Sequence, residues 1–302
     1  MELIGKTNID FMGMKKFSFI ISAIIAIIGL VGMIQMGRGA ANMGIDFSGG
    51  TAVQLKFTQP VGMDKAREAL AKHNLKDATL QDIKEGNKLM VKIGKTTLAT
   101  GKVADTIEDV FKKEFPGNAF VVESSTEIGP SVGDKLRKDT LTAILISMVG
   151  IIIYIAWRFD FKFGVGAVVA TMHDVLAMFA VFYVMNKEVN LLFITAVLTI
   201  AGYSLTDTVV VFDRIRENLH KSLKEPMAVI FNRSINEVLS RTIITALTTF
   251  LAACSLFLFG GEVIHDFALA LLVGILVGVY SSVFVASPIV SLWEEKGAKA
   301  KA

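Results

Sequence analysis

FSFIISAIIAIIGLVGMIQM, Phe17–Met36, contains no charged residue and is as long as a helix needs to be to cross the hydrocarbon of a bilayer. Five more runs of this kind follow, at about 140–157, 163–185, 190–212, 242–259 and 267–292. The composition agrees: of 302 residues, 53% are hydrophobic and 20% charged, and the mean hydropathy is +0.56. The net charge of +3 comes without a basic tract, so nucleic acid is not an expected partner. Cys254 is the single cysteine, which excludes an internal disulfide framework, a cysteine-based zinc site and a CxxC redox pair. Gly39 and Ala41 would suit signal cleavage, but the length of the first run and the five behind it favour an uncleaved anchor.

Positive charge orients the spans. Lys6, Lys15 and Lys16 precede the first, and Arg158 and Lys162 separate the second from the third. Arg214, Arg216, Lys221, Lys224, Arg233 and Arg241 lie between the fourth and fifth, and Lys296, Lys299 and Lys301 follow the sixth. These segments are expected on the cytoplasmic side. The expected layout is an N-terminus with the first helix at 1–36 and an outer, periplasmic domain at 37–138. Helices two to six then occupy 139–292, and a cytoplasmic tail fills 293–302. Inside the 213–240 loop, Met227, Ile230, Phe231, Ile235 and Val238 recur at helical spacing, which predicts an amphipathic helix lying on the membrane surface.

The outer domain changes period. Thr51–Thr58 alternates apolar and polar, Ala78–Ile83 and Leu89–Ile93 flank a turn at Glu85-Gly86-Asn87, and Ala119–Glu123 closes the segment. Helical spacing at Met63, Ala66 and Leu70, and again at Val103, Ile107, Val110 and Phe111, completes a β-α-β-β-α-β order, an α+β ferredoxin-like domain. Two glycine-rich segments flank it, GIDFSGGT at Gly44–Thr51 and GPSVG at Gly129–Gly133. The first lacks the lysine of a phosphate-cradling loop and runs into a strand. Tight turns at the edge of the domain fit better, and Gly49, Gly50, Gly129, Pro130 and Gly133 are the candidate hinge residues.

Ionisable residues inside a bilayer are costly and point to function. Thr195, Thr199, Tyr203, Thr206 and Asp207 fall on one stripe of the fourth span. Arg241, Thr245, Thr248, Thr249 and Ala252 form another on the fifth. The expected meeting point is a face-to-face Asp207–Arg241 pair, either a proton site or a static bridge between helices. His173 and Asp174 in the third span suit a proton relay. Adjacent residues point about 100° apart on a helix, however, which favours a structural role for this pair. Gly274 and Gly278 form a GxxxG, a packing feature.

GIDFSGGT, EIGPSVG at Glu127–Gly133, WRFDFKFGVGAVVATMHDV at Trp157–Val175, GYSLTDTVVVFDRIREN at Gly202–Asn218 and RTIITALTT at Arg241–Thr249 resemble the SecF family of bacterial protein export. The resemblance runs nearly the whole length. It implies six helices forming half of a resistance-nodulation-division (RND) transporter, in the inner membrane with both termini cytoplasmic. It implies a SecD chain as the other half, the SecYEG channel and SecA motor as the machinery served, YajC and YidC as associates, and unfolded exported polypeptide as cargo, all in contact with membrane lipid. It places Asp207 and Arg241 in a proton pathway with Thr206 and Thr245 beside them, uses protons as the coupling ion, and involves no other cofactor and no metal. Thr206 stands where the family commonly has Asn. Two other classes fit the spans: an RND-type exporter of lipids or small molecules, and a passive scaffold. An enzyme fits worst, because no nucleophile–base–orienter set is visible.

Overall fold

A computed structural model describes residues 7–38, 42–76, 78–83, 86–94, 102–222 and 225–299. Lys6, Gly39, Ala41, Glu85, Lys224 and Lys301, used above, lie outside the described residues. The chain forms two compact units, one of residues 1–42 with 143–302 and one of residues 43–142.

In chain order the elements are α1 (Lys15–Gly37), a short α2 (Ile45–Ser48), β1 (Gly50–Phe57), α3 (Met63–Lys72), β2 (Thr79–Ile83) and β3 (Lys88–Ile93). Then come α4 (Val103–Glu114), β4 (Phe120–Ile128), α5 (Pro130–Arg158), α6 (Phe161–Val184), α7 (Leu191–Lys221), α8 (Met227–Phe259), α9 (Glu262–Ser281), a π-helical turn (Ser282–Ala286) and α10 (Ser287–Lys299). Among the described residues six helices are long and apolar enough to cross a membrane, the sixth being the continuous run Val263–Glu295 through α9, the π turn and into α10.

The helical unit is built around α6, α7 and α9. Phe159 and Phe163 each pack edge to face against Phe212, with Phe163 and Phe212 at 5.1 Å, and Phe231, Ile235 and Val290 belong to the same core. The reading of the 213–240 segment needs correction. It is not a loop carrying a helix on the membrane surface. α7 extends to Lys221, and α8 runs unbroken from Met227 to Phe259, so the amphipathic stretch and the fifth span are one helix. Ile230, Phe231 and Ile235 are fully buried, the last two in a core that includes Phe212, Ile215 and Phe11. Asn218 Nδ2 donates to Ser234 Oγ at 3.0 Å and to Glu237 at 2.7 Å, fixing the crossing. The apolar face finds protein before it can find lipid, and no Gly or Pro stands between Val238 and Thr242 to break the helix.

Pro288 accounts for the π turn. It has no N–H to return to the preceding turn and its ring crowds the carbonyl four residues back. The ladder widens by one residue, and the Ser287 N–H and hydroxyl both reach Ser282 O, the hydroxyl at 2.8 Å.

The second unit is a four-stranded antiparallel sheet in the order β2-β3-β1-β4, with α3 and α4 on one face. This is the ferredoxin-like order expected from the sequence. β1 is central, and its Val53, Leu55 and Phe57 are buried with Leu70, Val91, Ile107 and Phe111. β4 is longer than the apolar run suggests, because Ser124–Ile128 continue the pairing to Gly50, with a bulge opposite Gln54 and Leu55.

On the open face of the sheet, Glu123 takes a 2.8 Å ion pair from Lys88, a 3.6 Å contact from Lys56 and a 3.0 Å hydrogen bond from Gln54. The Lys88 hydrogen bond is the main cause holding its carboxyl below the usual value of 4.5. A lowered folded pKa means that the clamp stabilises the domain above the ordinary glutamate range and is lost as pH falls through the lowered value. Hydrogen exchange of β1 and β3 amides should therefore accelerate on acidification, and Glu123→Gln should flatten that response. Identical pH profiles for the two proteins would show that the clamp adds nothing.

Candidate functional site

Asn190 starts α7 by accepting the Phe193 N–H at 2.9 Å, which sets the rotation of the helix that carries the candidate residues. The threonines and the aspartate part company on it. Thr195, Thr199 and Thr206 are exposed, while Asp207 is 8% exposed and turns into the bundle. The single stripe read from the sequence is thus two faces, as the turn of about 100° between Thr206 and Asp207 requires. The exposed threonine hydroxyls are satisfied by their own helix, Thr206 donating to Gly202 O at 3.2 Å.

On α8, Arg241 and Thr245 are exposed, as are Thr248 and Thr249. Thr245 donates back to Arg241 O and Thr242 O. The expected face-to-face ion pair does not form. Arg241 acts on Asp207 by charge attraction, but the Asp207 Oδ2 is buried with no hydrogen-bond partner among the described residues. The cause is rotational: α7 turns Asp207 inward, whereas α8 turns Arg241 to the outer surface. The Thr242 hydroxyl of α8 is likewise buried without a partner among the described residues. Orphaned buried polar atoms at one helix seam are unusual and mark a place where protons, water or another chain complete the bonding.

The third-span pair sits in a different place. Asp174 has no exposure and His173 is 5% exposed, so both side chains enter the core. They face each other, His173 Nδ1 to Asp174 Oδ1 at 3.3 Å, and Ser204 of α7 donates to Asp174 Oδ2 at 2.5 Å. Beside them the Thr208 and Ser282 hydroxyls share a 2.8 Å hydrogen bond. The His173 ring lies 5.9 Å from that of Tyr280, whose hydroxyl bonds Ser22 and Ser18 O of α1, each at 3.0 Å. Ser204, Thr208, Tyr280 and Ser282 escaped the sequence reading. Their signal was present in Tyr280-Ser281-Ser282 and Ser287-Pro288, small hydroxyls and a proline inside an apolar run.

The two glycine-rich segments meet within the domain unit. α2 makes one turn, and then Gly49 (φ +71°) and Gly50 (φ +136°) lead into β1. A Cβ on Gly50 would sit 2.3 Å from Ile93 O, and one on Gly49 3.1 Å from Pro130 Cα, so the pair needs glycine for both backbone and space. A Cβ on Gly133 would lie 3.0 Å from Gly49 N, whereas Gly129 has open space around it.

This glycine pair falls inside a match at residues 41–61 to the family described as the SecD/SecF GG motif. Residues 106–296, which carry His173, Asp174, Asp207 and Arg241, match the one described as protein export membrane protein SecD/SecF, C-terminal. The chain belongs to the SecD/SecF family. It is 52% identical over 293 residues to the protein translocase subunit SecF of Thermodesulfovibrio yellowstonii, covering 96% of each chain. Identity to the SecF of Calditerrivibrio nitroreducens is 41% over 296 residues, 97% of this chain and 96% of that one. The crystal structure of SecDF from Thermus thermophilus, a translocon-associated membrane protein, superposes with a TM-score of 0.85 at 34% identity. That match covers 96% of this chain and 39% of the SecDF chain, so this chain spans well under half of that larger protein. The six helices and the small sheet are therefore the SecF half of an RND-like architecture, and the chain is a multi-pass membrane protein of the translocase-subunit class.

Proposed function

We propose that this chain pairs with a SecD-type chain in the bacterial inner membrane, and that Asp207 with Arg241 is the proton-binding element by which the pair promotes late steps of protein export. The observation that carries this reading is the polar surface on α7 and α8. Arg241 is exposed on a helix within the span range, beside an inward carboxylate with one unsatisfied oxygen. A guanidinium at hydrocarbon depth is tolerated only when a partner or a water-filled cavity covers it. A second helical half that supplies an acid would do both, and the likeness to a chain more than twice as long supports such a half.

The distribution of Lys and Arg supports cytoplasmic termini and an outward-facing sheet domain. Proton uptake at Asp207 weakens its attraction for Arg241, α7 and α8 shift, and the motion passes through Gly49, Gly50, Gly129, Pro130 and Gly133 to the outer domain. Thr206 and Thr245 line the approach. Protons are the coupling ion. SecYEG and SecA are the machinery assisted, with YajC and YidC as associates and unfolded polypeptide as cargo.

The test is completion of preprotein export into vesicles carrying SecD with or without this chain, with the proton gradient intact or collapsed. Export that rises with the gradient only when both chains are present supports the reading. Equal export with the gradient collapsed removes the proton role and leaves a scaffold.

A further inference from the structure

We infer that His173 and Asp174 form a second proton-binding site in the core of this chain, separate from Asp207 and read out through Ser204. Asp174 is wholly buried, and the groups around it come from three helices. α6 supplies His173, α7 supplies Ser204, and α9 supplies Tyr280 and Ser281, with Ser22 of α1 behind Tyr280. Among the described residues, His173 is the titratable group that faces the Asp174 carboxyl, and the others that touch it are the hydroxyls of Ser204 and Ser281.

A lone carboxylate in this setting would be an uncompensated buried charge, which proteins avoid by pairing or by taking up a proton. Two neutral arrangements exist. The proton sits on Asp174 beside a neutral imidazole, or on His173 beside a carboxylate. Either way the dyad holds one dissociable proton, and Ser204 donates to the second carboxyl oxygen at 2.5 Å.

Release is linked to movement. Losing the proton leaves a net negative charge in the core, so it requires a rearrangement that admits water or a cation. The elements for one are adjacent. His173 Nε2 is buried without a partner among the described residues and so has bonding capacity to spare. Ser282, which opens the π turn at Ser282–Ala286, is bonded to Thr208 one turn beyond Ser204 and so joins α7 to the irregular segment beside the dyad. Ser204 and Asp207 lie three residues apart on one face-to-face turn of α7, so a shift at Ser204 reaches the Asp207 seam directly.

The test is pH-difference infrared spectroscopy of the two-chain complex in liposomes, reading the carboxyl region in both its protonated and carboxylate bands for the unmodified chain, Asp174→Asn, Asp207→Asn and Ser204→Ala. Asp174→Asn should lose one carboxyl band that Asp207→Asn retains. Ser204→Ala should keep that band at a displaced frequency, because one donor to the carboxyl is gone. A carboxyl region in Asp174→Asn identical to that of the unmodified chain overturns the site. Should Asp174→Asn not assemble, Ser204→Ala decides alone, and an undisplaced band overturns it. Loss of a band in Asp207→Asn alone would leave the Asp207 reading standing and remove this one.

Discussion

Asp207→Asn is expected to leave the two-chain complex assembled and to abolish its response to the proton gradient. The substitution keeps size and an acceptor oxygen but cannot gain or lose a proton, so Arg241 is never alternately held and released. The available energy is sufficient. One charge crossing 100 mV is worth about 2.3 kcal/mol, enough to bias a two-state equilibrium roughly fifty-fold. Asp207 is positioned for this role because its Oδ2 has no competing bond and the attraction of Arg241 reaches it without a locked ion pair. A closed bridge would have to be broken on every cycle, whereas an open one is poised. Gradient-dependent export should fall to the level seen with the gradient collapsed, at matched complex abundance. Arg241→Lys should retain part of the response, since charge survives and only the planar fork is lost. If Asp207→Asn vesicles respond like the unmodified ones, Asp207 is a structural residue and the proton enters elsewhere.

The sequence reported the fold well wherever period and length were unambiguous. Each apolar run became a helix, and the alternation in Thr51–Thr58 became the central strand because both neighbours pair to it. It misreported the segment from Asp213 to Ser240. An amphipathic face has the same spacing whether it meets lipid or protein, and only the packing of Phe231 and Ile235 against α7 distinguishes the two. The outer strand was underestimated for a related reason. Ser124 to Glu127 carry no apolar alternation, and their strand conformation is dictated by the neighbour at Gly50–Gln54.

The site was legible as a set of residues and not as a geometry. Asp207, Arg241, His173 and Asp174 stand out because charge is rare in these helices. Spacing alone placed Thr206 with Asp207, although a turn of about 100° sends one outward and the other inward. The serines that surround Asp174 were hidden because serine is common at helix contacts, and only Pro288 signals that the helix carrying Ser281 and Ser282 departs from regular geometry.

Gly29→Val is expected to separate α1 from α6 and to lower the thermal midpoint of the complex in detergent, with a stability loss near the upper end of the ~1–3 kcal/mol usual for overpacking. A Cβ at Gly29 would lie 2.0 Å from the Leu176 carbonyl oxygen and 2.7 Å from its carbon. Those are backbone atoms of a regular helix, so no rotamer change relieves the clash. Gly32, nearly one turn on, is as tightly placed, its Cβ falling 2.8 Å from Tyr183 Cβ. Inside a membrane, helices gain little from burying apolar surface away from lipid, so their association depends on close van der Waals contact between small residues. Removing that contact at Gly29 weakens the hold on α1, because α1 turns Ile20, Ile24 and Ile27 outward, where lipid serves them equally well. Gly150→Val supplies the control, since a side chain there meets nothing within 4 Å. Equal midpoints for the two variants would mean that α1 and α6 are held by their ends and not by the glycine crossing. A drop confined to Gly29→Val assigns the crossing as the contact that joins the first helix to the core carrying His173 and Asp174.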